Sequence, residues 1–170
     1  MASCYVLIPF KDDDAALETC IESLLPQLTD GAEVVLVDDG SLIKAAENPR
    51  LQPFLGDSRV HLLSHECNLG AAQARNTGLA WCAKAGADLV ILLDSDCLAK
   101  PGFVASQFGF AQEKPDTACI GGAIEGQGEG MWARLDALMS WFTSIPATPA
   151  RIVNEPYHLP TTNMSLKMNR

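Results

Sequence analysis

Val90-Ile91-Leu92-Leu93-Asp94-Ser95-Asp96 is an apolar run that ends abruptly in two carboxylates one residue apart. An apolar run with no polar alternation reads as a strand covered on both faces, the kind found in parallel sheets. It delivers Asp94 and Asp96 to the carboxyl end of a buried strand. Carboxylates at the lip of an apolar strand need compensation, and a divalent metal carrying a diphosphate supplies it. Taken alone, an acidic turn with Asp96 as a cap is the simpler reading. A second stretch tips the balance: Val34-Val35-Leu36-Val37 runs into Asp38-Asp39-Gly40-Ser41 in the same way.

Working outward, strand-like runs recur at 5–8, 33–37, 60–63, 89–93 and 118–124, with helix-like segments between most of them. That alternation predicts an α/β fold with a mostly parallel central sheet. Asp12 and Asp13 can cap a helix in which Leu17, Ile21, Leu24 and Leu28 share one face. The Ala-rich segment 69–84 predicts a second helix stopped by Gly86, and Pro101 is placed to open a third through Phe103, Val104 and Phe108. Beyond a glycine-rich segment, Trp132, Leu135, Leu138, Met139 and Phe142 give 131–142 an apolar helical face, which favours core packing over a binding wall. Prolines between 145 and 160 predict an irregular loop.

A chain of 170 residues has the length of one domain. Its net charge of −9 argues against nucleic acid or an anionic membrane as the main partner. An anionic ligand remains open, because a metal and a few cations can invert the field within one pocket. No run is long enough to span a bilayer and no signal peptide precedes Cys4, so a membrane span is not expected. The 6 cysteines form no Cys-x-x-Cys pair and no zinc-like cluster, which favours a reduced, cytoplasmic chain. Cys4, Cys82 and Cys119 lie in apolar or Ala-rich segments as small hydrophobes, whereas Cys97 follows the acid pair and is expected to border the site. His61, His65 and His158 have no metal-like spacing and read as ordinary polar or partly buried residues.

In an open α/β sheet, ligands bind beyond the carboxyl ends of the strands. Residues 9–12, 38–41 and 94–96 all follow strand-like runs, so parallel strands gather them on one rim. Asp39 could accept hydrogen bonds from a base edge or a ribose, and Asp94 and Asp96 could hold a ribose and a hard metal such as Mg²⁺ or Mn²⁺. Asn68-Leu69-Gly70 enters the Ala-rich helix, where Gly70 permits close backbone approach and the helix start favours an anion. Arg75 adds a planar cationic fork, for a diphosphate or for a salt bridge to a rim acid.

In order and spacing these motifs resemble the nucleotide-binding portion of a family 2 glycosyltransferase with the GT-A fold. The likeness rests on Ile8-Pro9, Asp38-Asp39-Gly40-Ser41, Asn68 with Ala74-Arg75-Asn76, Leu93-Asp94-Ser95-Asp96 followed by Lys100-Pro101-Gly102-Phe103, Gly121-Gly122, and Thr162-Asn163-Met164-Ser165. It covers nearly the whole chain. It implies a Rossmann-like three-layer sandwich, one domain over 1–170 with a nucleotide-binding part about 1–125 and the start of an acceptor-binding part about 126–170. It also implies metal-dependent, inverting transfer of a sugar from a nucleotide-diphosphate sugar, a UDP-sugar foremost, to a glycan, lipid or other acceptor in cell-wall or polysaccharide synthesis. By the match Asp39 reads the nucleobase, Asp94 the ribose region, and Asp96, with Asp94 beside it, the Mg²⁺ or Mn²⁺. Pro9, Phe10, Asp12, Gly70, Arg75 and Ser95 complete the expected nucleotide site. The expected location is the cytoplasm or the inner face of the membrane, and a homodimer is an open option.

Two positions depart from the family pattern. Where many relatives have Thr-Tyr-Asn, this chain has Phe10-Lys11-Asp12, which removes a stacking tyrosine and leaves Phe10 as a candidate replacement. Relatives supply the general base from an acidic motif downstream of the segment like 161–167, so the base is expected beyond Arg170; Asp136 and Glu155 come too early. Two alternatives stand beside this reading: a nucleotide-binding fragment without activity, and a phospho-receiver domain. The receiver is disfavoured because its acid pair follows the first strand and because Lys100-Pro101 comes too soon. A dinucleotide-binding fold or P-loop would need glycine motifs absent from this sequence.

Overall fold

The computed structural model describes residues 3–12, 14–29, 31–135, 152, 154 and 159–168. Strands β1 (Cys4–Phe10), β2 (Ala32–Asp38), β3 (Val60–Ser64) and β4 (Leu89–Leu93) lie parallel in the order β3-β2-β1-β4. Beyond β4, the sheet continues through β6 (Asn163–Lys167) to β5 (Cys119–Gly121), and β6 runs antiparallel to both neighbours.

Alternate strand residues bury on opposite faces. Val6, Ile8, Val34, Leu36, Ile91 and Leu93 pack with Leu17, Ile21 and Leu24 of α1 (Asp14–Leu24) and Val104 of α4 (Phe103–Glu113). Leu7, Val35, Val37, Val90 and Leu92 pack with Ala74 and Cys82 of α3 (Ala71–Lys84), which follows the one-turn helix α2 (Gln52–Leu55). Helices on both faces make the three-layer α/β sandwich, and they explain why the strands carry no polar alternation. Truncating a fully buried leucine such as Leu36 to alanine costs about 2–5 kcal/mol. Gly78 lets α3 lie close on β1, since a Cβ there would run into the Leu7 side chain.

Several expected boundaries shift for local reasons. α1 ends at Leu24 and a 3-10 turn, Leu25–Gln27, carries the chain to the buried Leu28, because Pro26 cannot donate into an α-helical ladder. α3 begins at Ala71 and not at 69, because Gly70 adopts φ 90. α4 starts at Phe103 after Gly102 at φ 83, and Pro101 sits in the turn before it. The strand expected over 118–124 is confined to Cys119–Gly121, where it pairs with only three residues of β6. Residues 131–135 are helical. The rest of the apolar face at 138–142, most of the proline-rich segment, and Asp13, Asp136, Glu155 and His158 lie outside the described residues.

The unanticipated element is β6. Asn163 and Ser165 are buried and joined to Gln107 of α4: Gln107 Nε2 donates to Asn163 Oδ1 at 2.9 Å, and Ser165 Oγ donates to Gln107 Oε1 at 2.9 Å. Because β6 lies between β4 and β5, the segment after residue 126 shares one sheet with the segment before it. Among the described residues no helix is long and apolar enough to cross a membrane. All six cysteines are free thiols.

Candidate functional site

The strand order reverses between β1 and β4, since β2 and β3 extend the sheet on one side of β1 and β4 opens the other. Such a reversal leaves a crevice beyond the strand ends. A cleft of about 490 Å³ lies there, bringing Pro9, Phe10, Asp39, Gly70, Arg75, Asp94, Ser95 and Asp96 together. Of the expected site residues only Asp12 stands outside its wall.

The β2 corner is built by its own carboxylates. Asp38, fully buried, accepts from the Ser41 N–H through Oδ1 at 2.9 Å and from the Ala45 N–H through Oδ2 at 3.1 Å. Asp39 accepts from the Leu69 N–H at 2.9 Å and the Gly70 N–H at 2.8 Å, so it fixes the entry to α3. His65 Nδ1 lies 2.7 Å from Asp39 Oδ1, and its Nε2 lies 2.9 Å from Thr77 Oγ1. Burial pushes the Asp39 carboxyl upward, but the bonds from His65, Leu69 and Gly70 outweigh it and hold its pKa below the usual value.

At the β4 corner, Asp94 is held from two sides. Arg75 Nη2 donates to Oδ1 at 2.5 Å and Thr162 Oγ1 donates to Oδ2 at 2.8 Å. The salt bridge weighed as an alternative for Arg75 is therefore formed, while its Nε is buried with no hydrogen-bond partner among the described residues. Asp96 lines both this cleft and a second, of about 640 Å³, whose mouth carries a Lys100–Glu125 ion pair. Cys97 borders the second cleft and not the first. Burial, then the charges of Asp96 and Asp94, push its thiol up to about 12.

The loop after β1 departs most from its sequence reading. Phe10, the last residue of β1, is 4% exposed and packs in the core, so it lines the cleft with little of its surface free. Lys11, not singled out from the sequence, lines the cleft as well. Asp12 adopts φ 55, a left-handed conformation unusual for a residue with a Cβ. Its N–H donates to Ser41 Oγ at 3.0 Å, and its Oδ1 accepts the Leu42 N–H at 2.6 Å, so it joins two loops. Sequence reasoning also passed over His65 and counted Thr162 only as part of a family motif, since nothing local announces a partner in another strand.

The family model described as glycosyl transferase family 2 matches residues 5–170. The chain belongs to glycosyl transferase family 2. Among curated relatives of this family 2 chain, glycosyltransferase GlyG of Streptococcus pneumoniae is 32% identical over 117 residues, covering 68% of this chain and 37% of the relative. The pre-mycofactocin glycosyltransferase of Mycobacterium tuberculosis is 33% identical over 138 residues, covering 79% and 27%. The chain thus spans well under half the length of these relatives. Among solved structures, S. aureus TarS 1-349 superimposes with a TM-score of 0.63 at 20% identity, over 76% of this chain and 38% of that one. Mannosyltransferase PcManGT from Pyrobaculum calidifontis, in complex with GDP-Man and Mn²⁺, gives 0.60 at 21% identity, over 72% and 35%. These neighbours establish the GT-A fold. The receiver alternative is overturned by the family match and by the antiparallel β6, which an all-parallel receiver sheet lacks.

Proposed function

We propose that this family 2 chain binds a nucleotide-diphosphate sugar, a UDP-sugar foremost, in the cleft between the β1 and β4 ends, for inverting transfer of the sugar to a glycan, lipid or other acceptor. The observation that carries the reading is the gathering of Asp39, Arg75, Asp94 and Asp96 around one crevice at the sheet's reversal point. An ionised carboxylate offers about four acceptor positions, two on each oxygen. Oδ1 of Asp39 meets His65 and Leu69 and Oδ2 meets Gly70, which leaves one position on Oδ2 for a base N–H. Uracil and guanine present such a ring N–H, whereas cytosine and adenine present acceptors there. TarS has been solved in complex with UDP-GlcNAc, which agrees with this choice.

Among the described residues no three His, Cys, Asp or Glu side chains converge as a metal cage. The donor set nevertheless suits Mg²⁺ or Mn²⁺, which is commonly held by one or two carboxylates together with substrate phosphates. Asp96 contributes a carboxylate at the junction of the two clefts, and among the described residues its side chain accepts only a 3.7 Å contact from Cys97 Sγ. Asp94, clasped by Arg75 and Thr162, is set beside it. A metal bound there would neutralise charge developing on the leaving diphosphate. Arg75 and the start of α3 hold the diphosphate, and the second cleft receives the sugar.

Calorimetric titration of the chain with UDP and UDP-sugars, in Mn²⁺ and in EDTA, tests the reading. Saturable binding that weakens at least tenfold in EDTA is expected. Equal affinity in both buffers counts against the metal. UDP binding without turnover on any acceptor would leave a nucleotide-binding module.

A further inference from the structure

His65 is the polar side chain at this site that the sequence offered no reason to choose. Its backbone N–H donates to Asp38 O at 2.8 Å, and its carbonyl accepts from Lys44 Nζ at 3.2 Å. The ring is thereby placed between the end of β2 and the middle of α3, and its side chain is 10% exposed against 6% for Asp39. The carboxylate facing Nδ1 has no proton of its own to give, so Nδ1 carries the hydrogen and donates to Asp39 Oδ1. In the neutral ring Nε2 is then the acceptor, and the Thr77 hydroxyl donates to it. The chain Thr77–His65–Asp39 ends on a carboxylate that lines the cleft and keeps one acceptor position on Oδ2.

We infer that His65 is a positioning residue for nucleobase recognition: it holds Asp39 so that one Oδ2 lone pair points to the base. The inference rests on the nucleotide reading given above. The N–H groups of Leu69 and Gly70 grip Asp39 from the α3 side only. Without a third donor the carboxylate can rock about that edge, and its open lone pair loses a fixed direction. A looser carboxylate still accepts from the loop, so the fold survives while base discrimination falls.

The test compares His65→Asn, His65→Gln and wild type, titrated with UDP, CDP and inorganic pyrophosphate in Mg²⁺. The amide nitrogen of asparagine sits where Nδ1 does and can still donate to Asp39; that of glutamine lies one bond farther out, on the Thr77 side. His65→Gln is expected to weaken UDP roughly tenfold, the scale of one charge-assisted hydrogen bond, and to erase the UDP-over-CDP preference. Pyrophosphate affinity should stay within about twofold, and His65→Asn should restore most of the UDP affinity and preference. Three results overturn the inference: unchanged UDP affinity in His65→Gln, equal losses for UDP and pyrophosphate, or equal behaviour of the two variants. A wild-type chain that binds pyrophosphate but no nucleoside diphosphate overturns the nucleotide reading itself, and is distinguishable from all three.

Discussion

Arg75 Nη2 stands 2.5 Å from Asp94 Oδ1, so the guanidinium of α3 and the carboxylate beyond β4 neutralise each other across the crevice. The pair is part-buried, with side-chain exposures of 18% and 31%. Arg75→Ala strands Asp94 with only Thr162, and is expected to cost about 1–2 kcal/mol in urea unfolding, after allowance for solvent screening. It should also weaken UDP by roughly tenfold or more, and Arg75→Lys by less, because lysine keeps the charge and loses the planar fork. Unchanged UDP affinity in both variants, alongside lost stability, would confine Arg75 to the clasp on Asp94.

Among the described residues, Asp96 has no comparable partner. Asp96→Ala should therefore leave stability within about 0.5 kcal/mol of wild type. The same change should make UDP affinity identical in Mn²⁺ and in EDTA. Metal dependence that persists in the variant would move the metal onto Asp94 alone.

Gly40 separates Asp39 from Ser41 at φ 73, and a Cβ there would lie 2.5 Å from the Cys67 carbonyl carbon and 2.6 Å from the Asn68 nitrogen. Both obstacles are backbone, so neither can swing aside. Gly40→Ala is expected to destabilise by about 2–4 kcal/mol through strain plus overpacking. Gly56, with nothing within 4 Å of its virtual Cβ, is the control: Gly56→Ala should be neutral or slightly stabilising. Thermal unfolding of the two variants decides the matter.

Acid should act through depressed carboxyls. Asp39 has a folded pKa below its unfolded value, and Arg59 holds Asp57 down at about 2. Each contributes stability that is fully present above the unfolded value of roughly 4 and is lost as pH falls through the folded pKa. Urea midpoints should therefore be flat from pH 7 to about 5 and drop between about 4 and 2. Asp57→Asn should reduce the slope in that lower window, and an unchanged slope would remove Asp57 from the account.

Thiol chemistry should be uneven. Burial pushes Cys4, Cys20 and Cys82 up to about 12, with neighbouring charges adding to it at Cys4 and Cys20, while Cys67 is exposed. Alkylation of the native chain at pH 8 should label Cys67 first, and the buried three only on unfolding. Mass mapping of the modified peptides reads the order directly.

The alternation of apolar runs with helical patterns determined the parallel α/β core, and the two runs ending in Asp38-Asp39 and Asp94-Ser95-Asp96 determined which carboxylates reach the rim. Those signals are local, because a strand buried on both faces must be apolar throughout and its first acids must mark its end. Tertiary structure alone decided the partners. β6 reads as a polar segment until Gln107 satisfies Asn163 and Ser165. Phe10 reads as a possible base platform until the α1 core covers most of its surface. His65 reads as a stray histidine until β3 and α3 bring it between Asp39 and Thr77. Residues 39, 65 and 77, like 75, 94 and 162, are far apart along the chain and meet only through crossovers. Apolar periodicity records which side of an element is buried; it carries no record of which polar group waits on the neighbouring one.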